Sequence, residues 1–173
     1  FCETILAFLK AQVRAGAQVV QLFDSWVGCL SPSDYQTYVL PHSQKIFREL
    51  RKEGIPSIHF GTGTGGLLHL MAEAGGDIIG VDWRAALSRS WQCVGSGAGI
   101  QGNLDPVALM APPSILKQKA ADVLDEAGGR PGHIFNLGHG ILPSVPEDSV
   151  KALADFVHEY SAQSNQKQPS AEY

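Results

Sequence analysis

The sequence predicts an α/β fold built from βα units around a parallel sheet. Two observations carry the prediction. Short apolar runs alternate five times with segments of helical periodicity. The connections between them are short, and the runs are apolar along their length, as strands covered on both faces are. With 173 residues and 44% hydrophobic content, the chain can bury one sizeable core.

The elements follow in order. Ile5, Leu6, Phe8, Leu9 and Val13 place an amphipathic helix over residues 4–15, and Gly16 ends it. Val19 to Asp24 reads as the first strand. Ser31-Pro32-Ser33-Asp34 opens a helix, because Ser31 can cap, Pro32 suits the first turn and Asp34 suits the positive end. Pro41 kinks or restarts that helix, which continues through Ile46, Phe47 and Leu50 to Gly54. Ile55 to Phe60 is the second strand and Leu67 to Glu73 a helix. Asp77 to Val81 is the third strand, followed by a helix from about Arg84. Gly99 to Gly102 forms the fourth strand, and Asp105-Pro106 caps a short helix. Pro112-Pro113 opens a longer one carrying Leu116, Ala120, Val123 and Leu124, ended by Gly128-Gly129. Ile134 to Leu137 is the fifth strand, broken by Gly138-His139-Gly140. A last helix after Pro146 carries Val150, Leu153, Val157 and Tyr160 as its buried stripe. Residues 162–173 are polar and are expected to be disordered.

Composition narrows the functional classes. Charged residues make up only 17%, the formal net charge is −4, and no basic run is present, so nucleic acid is not an expected partner. No stretch is long enough to span a bilayer and no signal-peptide pattern occurs, so no membrane partner is expected. Cys2, Cys29 and Cys93 form no CxxC pair, which argues against a disulfide scaffold and for a reducing, cytoplasmic setting. The chain opens at Phe1 in what reads as mid-helix, the pattern of a truncated reading.

Several constellations sit where strands end, the place where parallel α/β folds bind ligands. Gly61, Gly63 and Gly66 satisfy GxGxxG, with Asp82 placed as a ribose-binding carboxylate would be. The competing reading is a tight βα turn in a barrel, since a βα unit already precedes this one. No metal is expected, because His59 and His69 lie on different elements, His133 and His139 diverge, and no Cys neighbours them. His42 and His158 read as helix-surface residues. Ser25 lacks a GxSxG context and a partner base, so it reads as a hydroxyl for a polar substrate group or as a loop cap. Asp82-Trp83 and Asp105 read most simply as helix caps. His139, between two glycines that free the backbone, can stand at the mouth of a strand-to-helix turn.

Together, Gln21-Leu-Phe-Asp-Ser-Trp26, Gly80-Val-Asp-Trp83, Gln101-Gly-Asn-Leu-Asp-Pro106 and Phe135-Asn-Leu-Gly-His-Gly140 resemble the uroporphyrinogen decarboxylase family. Pro143 and Val145-Pro146 extend the likeness, and the segments keep the family's order and spacing. The resemblance implies a (β/α)8 TIM barrel, with residues 1–161 covering about its last five βα units. It implies removal of carbon dioxide from the four acetate side chains of uroporphyrinogen III, giving coproporphyrinogen III in haem and chlorophyll synthesis. It implies no metal, no organic cofactor and a homodimer when full length. By motif position, Ser25 and His139 match the family's substrate-contacting hydroxyl and imidazole. Phe23 matches an apolar floor under the tetrapyrrole, or equally an inward core side chain. The family's carboxylate-clamping arginines, its pyrrole-facing Asp and its active-site Tyr have no match here. The chain alone is therefore expected to be inactive and, as an open half-barrel, to expose two sheet edges.

Two rivals stand beside this reading. Corrinoid-dependent methyltransferases resemble the same family but bind zinc through His-x-Cys, where this chain has His59-Phe60-Gly61. A non-catalytic tetrapyrrole-binding half-barrel could also retain Ser25 and His139.

Overall fold

The structure, a computed structural model, describes residues 1–167. Five parallel strands form one sheet in the order of the chain: β1 (Val20–Asp24), β2 (Ser57–Gly61), β3 (Ile78–Gly80), β4 (Gly99–Leu104) and β5 (His133–Leu137). Helix α1 (Cys2–Arg14) precedes β1, and α2 (Pro32–Tyr38) and α3 (Leu40–Lys52) follow it. Helices α4 (Leu68–Ala74), α5 (Leu87–Val94), α6 (Pro113–Ala127) and α7 (Glu147–Lys167) follow the remaining strands.

Side-chain alternation decides where the helices lie. Val20 and Leu22 pack against α1 and α3, Ile79 and Ile100 against α4 and α5, and Phe135 and Leu137 against α6 and α7. These positions share one face of the sheet, because the register pairs Leu22 with His59, His59 with Ile79, Ile79 with Ile100, and Ile100 with His133. All helices that cover strand side chains therefore pack on one face. A strand order that never reverses, with helices on a single side, is the wall of a (β/α)8 barrel and not a doubly wound sheet.

Local chemistry sets the element ends. Ser31 accepts the Asp34 N–H at 3.1 Å and donates to its carboxylate, and Pro32 begins α2 as expected. Pro41 restarts the chain as α3, whose buried stripe is Leu40, Ile46, Phe47 and Leu50. Asp105 caps a single 3₁₀ turn, Pro106–Met110, through the Val107 N–H at 2.9 Å.

The structure corrects four expectations. The helix expected from about Arg84 begins at Leu87, because the Asp82 carboxylate holds the Arg84 N–H in a turn. Asp82-Trp83 consequently does not cap α5, whose N-cap is Ala86. On α7, Leu153 is buried and Val157 partly so, whereas Val150 is 38% exposed; Phe156 shares the apolar contact. Helix α7 also continues to Lys167, into the tail expected to be disordered from residue 162; residues 168–173 lie outside the described residues.

Candidate functional site

Among the described residues, the face of the sheet that no helix covers carries Gln21, Phe23, Phe60, Gly80, Gln101 and Asn103, placed there by the same register. Phe23 is 65% exposed, and its ring meets Phe60 edge-on, with centroids 5.8 Å apart. Phe60 lies against Gly80, where a Cβ would come within 2.8 Å of the ring. The Gln101 amide donates to the Gln21 side chain at 3.1 Å and ties β4 to β1 across this face. The result is a mixed floor of aromatic faces and amides.

Ser25 leaves β1 at its carboxyl end, and the turn is braced from behind. Asp24 points to the helix side, where its Oδ2 lies 2.9 Å from His59 Nε2 and accepts from Ser43 Oγ at 3.4 Å. The His59 side chain is fully buried, with Nδ1 3.3 Å from the Met71 carbonyl. Tyr35 is buried beside this cluster, and its hydroxyl has no hydrogen-bond partner among the described residues. Burial, and next the Asp24 charge, push the Tyr35 hydroxyl well above its ordinary range. In front, Thr62 Oγ1 donates to the Ser25 carbonyl, and Trp26 stands 88% exposed.

The glycine-rich loop after β2 is occupied by the protein itself. The Gly63 N–H donates to Asp82 Oδ2 at 2.5 Å. Gly28 packs onto the loop so closely that a Cβ there would meet the Thr62 carbonyl at 2.1 Å. The N–H a pyrophosphate would need is thus already bound, and the sheet has no switch point to receive a dinucleotide. The tight βα turn is the reading the geometry supports. His59 is likewise committed at both ring nitrogens, and no group of three metal-ligating side chains occurs among the described residues.

At the other edge of the sheet, β5 ends at Gly138-His139-Gly140. Gly138 is buried with its Cα against the neighbouring loop: a Cβ would stand 2.4 Å from the Trp83 nitrogen. His139 is exposed, and its ring meets Trp83 at 6.1 Å between centroids and 84° between planes. The Arg84 guanidinium lies 3.9 Å above the Trp83 ring and pairs with buried Asp82 at 2.8 Å. Asn103 Nδ2 donates to the Asp82 and Ala85 carbonyls. Lower on β5, His133 turns to the helix side and donates from Nε2 to the Gly102 carbonyl at 2.8 Å. Burial lowers its pKa from the ordinary 6.5, opposed by that hydrogen bond.

Ser25 and His139 therefore lie just past the carboxyl ends of the two outer strands, β1 and β5, with Phe23 on the open face at the β1 edge. Strands β2, β3 and β4 lie between them. Sequence reasoning missed the Asp82–Trp83–Asn103 junction that supports the His139 loop. The clustering of polar residues at three successive strand ends was its available signal.

A family model described as uroporphyrinogen decarboxylase (URO-D) matches residues 1–160. A protein named uroporphyrinogen decarboxylase from Carboxydothermus hydrogenoformans is 56% identical over 92% of this chain and 46% of its own length. Proteins of the same name from Sorangium cellulosum and Streptomyces griseus are 55% and 54% identical over 96% and 90% of the chain. The chain spans 48% and 43% of their lengths, so it covers about half of each curated relative it matches.

Proposed function

Since the chain belongs to the uroporphyrinogen decarboxylase family, we propose that it supplies a substrate-binding wall to a protein that decarboxylates the acetate side chains of uroporphyrinogen. The product is coproporphyrinogen, on the route to haem and chlorophyll. The observation that supports this reading is that Ser25 and His139 follow the carboxyl ends of β1 and β5, and that Phe23 is exposed on the open face. A macrocycle edged with carboxylates needs an apolar floor and polar groups at its margin, and this face offers both. The Ser25 hydroxyl can donate to a carboxylate, and so can a protonated His139. Phe23 forms the floor.

The chemistry fits such a wall. Protonation of a pyrrole carbon makes a cationic electron sink. The bond to the carboxylate then breaks, carbon dioxide leaves with the electron pair entering the ring, a proton adds to the side-chain carbon, and the ring carbon releases the proton it took up, restoring the pyrrole. The protein's part is to hold a polyanion and stabilise positive charge on the ring, a task of fixed dipoles and charges. No metal or organic cofactor is needed for these steps. The protein is proposed to act in the cytoplasm as a homodimer.

Incubating the full gene product with uroporphyrinogen and following carbon dioxide and coproporphyrinogen tests the reading. Ser25→Ala and His139→Ala should each weaken retention of the octa-acid by about 10- to 100-fold, the value of a hydrogen bond to a charged group. Turnover unchanged in both variants would refute the site. Binding without carbon dioxide release would point to a non-catalytic tetrapyrrole binder.

A further inference from the structure

We propose that Trp83 is a positioning residue for His139, fixing the imidazole at the rim before substrate arrives. The inference rests on the reading that His139 meets a substrate carboxylate. His139 is exposed and sits between two glycines, so its own segment does little to hold it. Among the described residues, the side-chain contact the structure gives its ring is the edge-to-face meeting with Trp83, at 6.1 Å and 84°. The backbone contact is closer still. Gly138 is seated on the Asp82–Trp83 peptide, where a Cβ would stand 2.4 Å from the Trp83 nitrogen and 3.0 Å from the Asp82 carbonyl carbon. The loop after β5 therefore rests directly on the loop after β3.

Trp83 is itself held from several sides. Arg84 stacks on its ring at 3.9 Å and is anchored to the buried Asp82 carboxylate. That carboxylate also binds the Gly63 N–H of the loop after β2. From β4, Asn103 fixes the Asp82 and Ala85 carbonyls, before and after Trp83 in the chain. The ends of β2, β4 and β5 thus converge on one tripeptide after β3, and the indole is where that rigidity reaches the imidazole. A side chain restricted in advance loses less freedom on binding, so the contact should appear as affinity.

The test is a double-mutant cycle in the full gene product, with uroporphyrin, the oxidised octa-acid, as binding probe. Trp83→Ala should weaken binding by about 2- to 10-fold, the usual value of an aromatic pair. Trp83→Phe should restore most of it, and Trp83→Ala should cost nothing further once His139 is Ala. Additive losses, or full affinity in Trp83→Ala where His139→Ala binds weakly, would overturn the inference. A second measurement is independent of substrate: the His139 ring-proton resonances should move in Trp83→Ala and return toward their places in Trp83→Phe. Unmoved resonances would also overturn it. If they move while His139→Ala binds uroporphyrin normally, the positioning contact stands and the substrate reading fails. Trp83→Phe serves both measurements if Trp83→Ala does not fold.

Discussion

His133 shows how one side chain ties stability to pH. Its folded pKa lies below the ordinary 6.5, so the unfolded chain binds a proton more readily than the native one. The sign follows from linkage: stability is held above the unfolded value and falls as pH drops from 6.5 toward the lowered native value. The urea midpoint should therefore decrease between about pH 7 and about pH 5, and His133→Gln should flatten that decrease. An equal pH slope in the variant would refute the assignment. Local residue roles were legible in the sequence. Ser31 and Asp105 cap turns within three residues of themselves, and both act as read. Asp82 read as a ribose carboxylate or a helix cap, and neither reading contained its partner, the Gly63 N–H 19 residues away. The pairing of Asp24 with His59, 35 residues apart, escaped notice for the same reason.

Among the elements, periodicity gave the strands and helices, while their ends were decided by contacts it does not contain. Helix α5 starts at Leu87 because Asp82 takes the turn before it. Two substitutions probe this scale. Ser31→Ala removes the acceptor for the Asp34 N–H and should cost about 1 kcal/mol in urea unfolding. Gly138→Ala forces a methyl into the Trp83 backbone and should cost about 1–3 kcal/mol or displace the β5 loop. An unchanged midpoint together with unchanged His139 ring resonances would show that the two loops are not in contact in solution.

At the scale of the whole molecule, the alternation of apolar runs and helices made the parallel sheet legible. The strand order and the open face follow from the structure. Among the described residues, β1 and β5 are each paired on one side only. Edge strands of this kind template further pairing. The isolated chain should self-associate, with its mass by light scattering rising with concentration; a constant monomer mass would count against it.

Strict sequential pairing has one more consequence. Among the described residues, each strand hydrogen-bonds only to the strands before and after it in the chain, so cooperativity passes from neighbour to neighbour, as along a row of stacked repeats. Opening then costs least at the ends of the row and most in its middle. Amide hydrogens of β3 should exchange with solvent last and those on the outer strands first, grading protection across the sheet rather than losing it all at once.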